Sequence, residues 1–168
     1  VTAALELKTQ QGFSIVDVES VALAGNESIA KRHNITEPAD IGLAQYSVPF
    51  CVAVALARDP IDPRSFDDSA LKNPEILRVC RSTRVTQLTG PQARGRYSSV
   101  VTVRLKDGRE LVKEAHDYEG MPHRPLSREA LRAKFLKLTA GTPAYDAERV
   151  LQRLEALEAL ASLTPLFD

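Results

Sequence analysis

The chain is poor in the residues that usually announce chemistry. It has two cysteines and three histidines in 168 residues. Cys51 and Cys80 form no C-x-x-C motif, and no pair among His33, His116 and His123 has zinc-ligand spacing, so no metal site is expected. Apolar flanks around both thiols favour a reducing compartment, with a single disulfide left open. There is no charge excess either: 22 Lys and Arg balance 22 Asp and Glu. That argues against a nucleic-acid or anionic-membrane surface, both of which rest on a basic excess. Arg94/Arg96 and Arg78/Arg81/Arg84 are sparse local clusters. No signal peptide is visible, and no apolar run approaches the ~20 residues of a membrane span. Gly90 and Gly95 are isolated, and "TGPQARG" lacks the Lys-Ser/Thr of a phosphate loop. No G-x-S-x-G elbow is present. A composition of 43% hydrophobic and 26% charged residues remains, ordinary for one soluble domain with a real core. The cytoplasm is the expected location. The chain opens on Val1, and its only methionine is Met121. "VTAALELKTQQG" reads as the last turns of a helix that starts upstream, so a piece of a longer protein is expected.

What is present is clearest in local patterning. Residues 13–25 alternate Ile15, Val16, Val18, Val21 and Leu23 with polar residues and stop at Gly25, which reads as a strand. Residues 26–43 read as loop or broken helix. From Val48 to Ala57 ten residues in a row are apolar. Pro49 would remove a ladder donor from a central strand but is tolerated in a first helical turn. Ser47 is a good N-cap, and Ala53, Ala55 and Ala57 favour helix. The run therefore predicts a helix over 47–58, apolar nearly all round and buried. Asp68 or Ser69 starts a further helix with Pro74 early in it, and 84–89 reads as a strand. Two β-rich runs flank Asp107-Gly108, which predicts a hairpin with a type I′ turn. A Gly/Pro loop covers 117–126. Ser127 then caps a helix that stops at Gly141. Thr142-Pro143 opens a last helix with Val150, Leu151, Leu154, Leu157 and Leu160 in one stripe. The sum is an α+β domain: a mostly antiparallel sheet with an Asp-Gly hairpin, covered by helices, plus a C-terminal helix.

Candidate chemistry is sparse. His116 follows the hairpin and His123 lies in the Gly/Pro loop. They read either as solvated loop histidines or as an acid/base pair. Asp59/Asp62 and Asp67-Asp68 are explained by turns and caps.

Three stretches in order resemble the MmgE/PrpD family. "AQYSVPFCVAVAL" at 44–56 is similar to its A-x-F-S-L-P-Y-x-x-A-x-A-L segment. "VTVRLKDGRE" at 101–110 resembles its hairpin. "GMPHRPLSREALRAKFLKL" at 120–138 resembles its G-x-P-x-x-P-L-(S/T)-x-x-x-L-x-x-K-F segment. That family includes 2-methylcitrate dehydratase, cis-aconitate decarboxylase and iminodisuccinate epimerase. The resemblance implies a lid domain over 1–140 and a helix over 141–168 that returns to a missing N-terminal helical domain. It further implies a homodimer and an active site in the cleft between lid and helical domain. Most acid/base residues, a Lys and a His among them, would precede the lid. The chemistry would be cofactor-free proton abstraction next to a carboxylate, on a small di- or tricarboxylate. Phe50 is a substrate-binding candidate because it stands where the family motif has a tyrosine that faces the cleft in some members, although it carries no hydroxyl. Tyr46, one helical turn earlier, is the candidate substitute. Gln45 and Ser47 are candidate neutral hydrogen-bond partners, although Ser47 also reads as a plain cap. Free N–H groups at the start of the 47–58 helix would suit an anionic substrate. The rival readings are a stand-alone binding or dimerisation module with the lid fold, and a small hydrolase using His116 and His123.

Overall fold

The computed structural model describes residues 1–142, 146–160 and 162–164. The chain divides into two compact units, Val1–Arg124 and Pro125–Asp168. Among the described residues there are eight α-helices and one four-stranded sheet.

The first unit is built on that sheet. Strands β1 (Val18–Gly25), β2 (Thr83–Gln87), β3 (Ser99–Leu105) and β4 (Glu110–Ala115) lie in the order β2-β1-β3-β4. β1 pairs with β2 in parallel and with β3 antiparallel, and β3 pairs antiparallel with β4. The sheet is thus mixed, with antiparallel pairing predominating. The expected strand start at 13 gives way to a 3₁₀ turn over Ile15–Asp17, closed by a capping box between Ser14 and Asp17. Within β1 the pairing shifts between Val18 and Ser20. An extra residue there explains the sequence: Val18 and Val21 are three apart yet both face the core, which a strict two-residue period forbids.

The apolar face of the sheet is covered by helices α1 (Thr2–Gln11), α4 (Val48–Ala57) and α6 (Pro74–Ser82). α4 is the expected buried helix. Pro49 stands in its first turn, Ser47 caps it, and Phe50, Val52, Ala53, Val54, Ala55 and Leu56 are all buried. Val21, Leu23, Val101, Val103 and Leu105 meet it from the sheet. α2 (Glu27–Arg32) and α3 (Ile41–Tyr46) occupy the stretch expected as loop or broken helix, capped by Asn26 and Asp40. The helix expected from residue 68 with Pro74 inside it is two helices, α5 (Asp68–Leu71) and α6. Asn73 sits before proline, takes an extended conformation and cannot continue a helix. Its Oδ1 instead accepts from the N–H groups of Glu75 and Ile76 and starts α6 afresh.

The connection between β3 and β4 differs from a type I′ turn. That turn needs positive φ at both central residues, and only Gly108, at φ 89°, has it. The N–H of Gly108 donates to Leu105 O at 3.0 Å, and that of Leu105 to Arg109 O at 2.9 Å. This closes a three-residue loop ending on a left-handed glycine. Asp107 Oδ1 accepts from the Arg109 N–H instead of taking the left-handed position itself.

Arg78 ties α6 to the start of β1. Its guanidinium donates to Val18 O at 2.7 Å, Ile15 O at 3.0 Å and Glu75 Oε2 at 2.7 Å.

In the second unit α7 (Arg128–Thr139) is capped by Ser127, and α8 (Ala147–Glu155) by Asp146. Pro143, part of the expected start of the last helix, lies outside the described residues. Val150, Leu151 and Leu154 lie on α8, while Leu157 falls in a 3₁₀ turn, Leu157–Ala159. Arg132 pairs with Glu148 and Glu155.

Two stability tests follow from these contacts. Arg78→Ala should lose about 1.5–3 kcal/mol in urea unfolding, and Arg78→Lys should recover little, because an ammonium cannot span two carbonyls and a carboxylate as a planar fork does. Asp67 accepts from Ser69, the Ala70 N–H and Arg58, which hold its carboxyl at about 2. Its contribution is present above the ordinary value near 4 and lost as pH falls through about 2. Asp67→Asn should therefore flatten the fall in urea midpoint over that window.

Candidate functional site

The residues flagged around 45–50 fall on the junction between α3 and α4, and the junction separates them. Gln45 and Tyr46 are the last two residues of α3, both exposed. Neighbours on a helix are turned by about 100°, so they face different ways. Gln45 lines a shallow depression with Pro60, Ile61, Pro63 and Phe66. Tyr46 is 67% exposed and lies nearly parallel to the His33 ring, 6.1 Å between centroids and 13° between planes.

Ser47 and Phe50 point inward. Ser47 is 0% exposed. Its hydroxyl donates to Ile35 O and accepts from the Phe50 N–H, so it holds the loop before α3 against the start of α4. Phe50 is also 0% exposed and meets Phe66 at 6.4 Å between ring centroids.

The start of α4 differs from the expected anion site. Its N–H groups are already committed: Val48 N donates to His33 O, Phe50 N to Ser47 Oγ and Cys51 N to Ser47 O. Pro49 has no N–H to offer. A buried helix end must satisfy these groups internally, and this one does so with its own cap and the chain at His33.

His33 is the residue that sequence reasoning missed. Its backbone oxygen takes the Val48 N–H at 2.9 Å, and its Nδ1 lies 3.1 Å from Tyr46 O. A carbonyl only accepts, so Nδ1 carries the proton. The imidazole is thereby oriented, with Tyr46 along one face.

His116 and His123 belong elsewhere, each with its own partners. His116 Nδ1 lies 3.2 Å from the hydroxyl of buried Ser98, and its Nε2 faces Glu114 at 3.5 Å. His123 Nε2 lies 3.1 Å from Asp117 Oδ2. The Arg124 guanidinium, with His123 second, holds the Asp117 carboxyl below the usual range. No hydrogen bond or ion pair joins the two histidines among the described residues.

Both cysteines are free. Burial pushes the Cys80 thiol up to about 11 and the Cys51 thiol upward as well, so neither is a ready nucleophile. Among the described residues no three of His, Cys, Asp and Glu gather to hold a metal ion, and no helix is long and apolar enough to cross a membrane.

The Ser47 hydroxyl has a measurable consequence. Ser47→Ala removes a cap and leaves Ile35 O without that donor, so unfolding free energy should fall by about 1–3 kcal/mol. Ser47→Thr keeps the hydroxyl and should retain most of it.

The chain matches no curated protein sequence. Residues 1–160 match the family model described as the MmgE/PrpD C-terminal domain. The match spans all three stretches that carry the resemblance, the α3–α4 junction, the β3–β4 hairpin and the approach to α7. The chain belongs to the MmgE/PrpD family and is its C-terminal domain.

Proposed function

We propose that this domain is the lid of a cytoplasmic, cofactor-independent enzyme that acts as dehydratase, isomerase or epimerase on a small di- or tricarboxylate such as 2-methylcitrate. The observation that carries the reading is the family match over residues 1–160. In this reading residues 1–140 are the lid, and 141–168 return the chain to an N-terminal helical domain. That domain supplies the acid/base groups, and two copies form a homodimer. Proton abstraction next to a carboxylate needs a base within hydrogen-bond reach of the substrate. The histidines His116 and His123 are each already engaged with a hydroxyl or carboxylate of the lid itself, which favours a base from the other domain.

Gln45 and Tyr46 are the lid's substrate-facing side chains in this proposal. Both are exposed and polar at the end of α3, on two sides of it, and neither has to abandon a buried contact to reach a ligand. Ser47 and Phe50 act behind them. The serine fixes the junction by its two hydrogen bonds, and the phenylalanine anchors it in the core.

The test is kinetic. The longer polypeptide that carries this domain should turn over 2-methylcitrate, and the 168-residue chain alone should not. Gln45→Ala and Tyr46→Ala in the longer protein should each change KM or kcat about tenfold, the size of one hydrogen bond to a charged group. Unchanged kinetics in both variants would remove the rim from the site. Turnover by the short chain would overturn the two-domain reading.

A further inference from the structure

We propose that the uncovered face of the sheet is a self-association surface on which the lids of two copies meet, strands aligned, with Arg84 of each copy set between Glu110 and Glu114 of the other. This surface gives the homodimer of the proposed function its interface, and it rests on that reading.

The register determines what the face carries. Ala22 stands beside Arg84 on β2 and Thr102 on β3, and Thr102 stands beside Val112 on β4. Residues paired across strands point to the same side of a sheet, and successive residues alternate between sides. Val21, Leu23, Val101 and Val103, which flank this row, are buried in the core. The row itself faces away from the core. Ala22 and Arg84 are exposed, Thr102 is half-buried, and Val112 is 57% exposed. Two residues further along the strands, Ala24 pairs with Val100, and both are half-buried. The middle of the face is thus flat and made of small or β-branched side chains. Such a surface packs on a second sheet about 10 Å away.

The charges on this face are sorted by strand. β2 brings Arg84, while β4 brings Glu110 and Glu114, one on each side of Val112. Arg84 has no hydrogen bond or ion pair among the described residues. Glu110 lies 3.9 Å from Arg104, and Glu114 accepts from Gln92 at 2.6 Å and faces His116 Nε2 at 3.5 Å.

Two identical sheets packed face to face are related by a twofold axis lying between them. With strands aligned, that axis runs either across the strands or along them. Across them, β2 lies over β2 and β4 over β4, so Arg84 meets Arg84 and Glu110 meets Glu114. Along them, β2 lies over the partner's β4. Arg84 then sits over the partner's Val112, with a glutamate about 7 Å to either side along the strand, within reach of its long side chain. This happens twice per dimer. The same axis exchanges β1 and β3, so Glu19 and Arg104, paired at 3.0 Å within one copy, also fall opposite each other between copies. Like charges in contact cost several kcal/mol, which leaves the axis along the strands as the arrangement this face fits.

Sedimentation velocity on the longer polypeptide that carries this domain tests the surface. Wild type should be a dimer at micromolar concentration. Arg84→Glu should raise the dimer Kd about a hundredfold, because like charges then meet at two places. Glu110→Lys combined with Glu114→Lys should do the same. Mixing the two variants should restore dimers holding one copy of each, since every reversed charge then meets a reversed partner and every native charge a native one. Restored dimers also show that both variants fold. Dimers unaffected by either variant overturn the inference and leave the homodimer on another surface. Loss that mixing does not repair overturns it as well. If both variants lower the thermal midpoint while the mass stays dimeric, another part of the same chain covers the face, and the inference falls. A wild type that stays monomeric throughout the micromolar range removes the homodimer and this surface together.

Discussion

Helix α4 buries seven of its ten residues, and the packing of the first unit is arranged around that demand. An amphipathic helix needs one apolar neighbour. A helix apolar on every side needs a sheet below, helices beside it and chain over both ends. The β1 and β3 side chains supply the floor, and α1 and α6 supply the flanks. Truncating Leu56 or Phe50 to alanine would remove side chains with about 2–5 kcal/mol of packing each, because the surrounding elements cannot close on the hole.

Burying a helix also buries its end, and the α3–α4 junction is built from the solution to that problem. Four N–H groups at a helix start have no partner within the helix. In α4 proline removes one, the cap residue's own N–H donates to Ala44 O, the Ser47 hydroxyl takes the N–H of Phe50, and the carbonyl of His33 takes that of Val48. The last of these bonds brings a histidine from the end of α2 to the side of Tyr46. The His33 ring is therefore positioned beside Tyr46 by the same bonds that satisfy the buried N–H groups. Helix burial and placement of polar side chains at the surface are one arrangement, and a change to Ser47 would be felt in both.

Charged side chains in the first unit join elements rather than decorate them. Arg78 reaches from α6 to two carbonyls at the entry to β1, and Arg58 donates to Asp67, Ser69 and Ser65 O, drawing the turns after α4 together. A guanidinium suits this work because it presents several donors in one plane. These contacts fix the loops that carry Pro60, Ile61 and Pro63, which line the depression beside Gln45.

What the sequence determined by itself was local. The proline, the cap and the alanines of 47–58 select a buried helix wherever that run is placed, and Ser127 starts α7 by the same rule. The β-rich runs around Asp107-Gly108 select antiparallel neighbours, although the pairing register made the loop one residue longer than the dipeptide suggests. Asn73 before Pro74 carried the break between α5 and α6 in its preference for extended backbone, a signal visible in the sequence but weaker than the apolar run around it. The family resemblance was legible because its three motifs mark a cap, a turn and a helix start, each set by a few adjacent residues. Only tertiary structure decided which polar residues face outward. Ser47 turned inward because Ile35 O needed a donor, and His33 came to Tyr46 because Val48 needed an acceptor, which it found fifteen residues back along the chain. Such partners are chosen by the three-dimensional demand to satisfy buried polar groups, and no spacing along the chain records that choice.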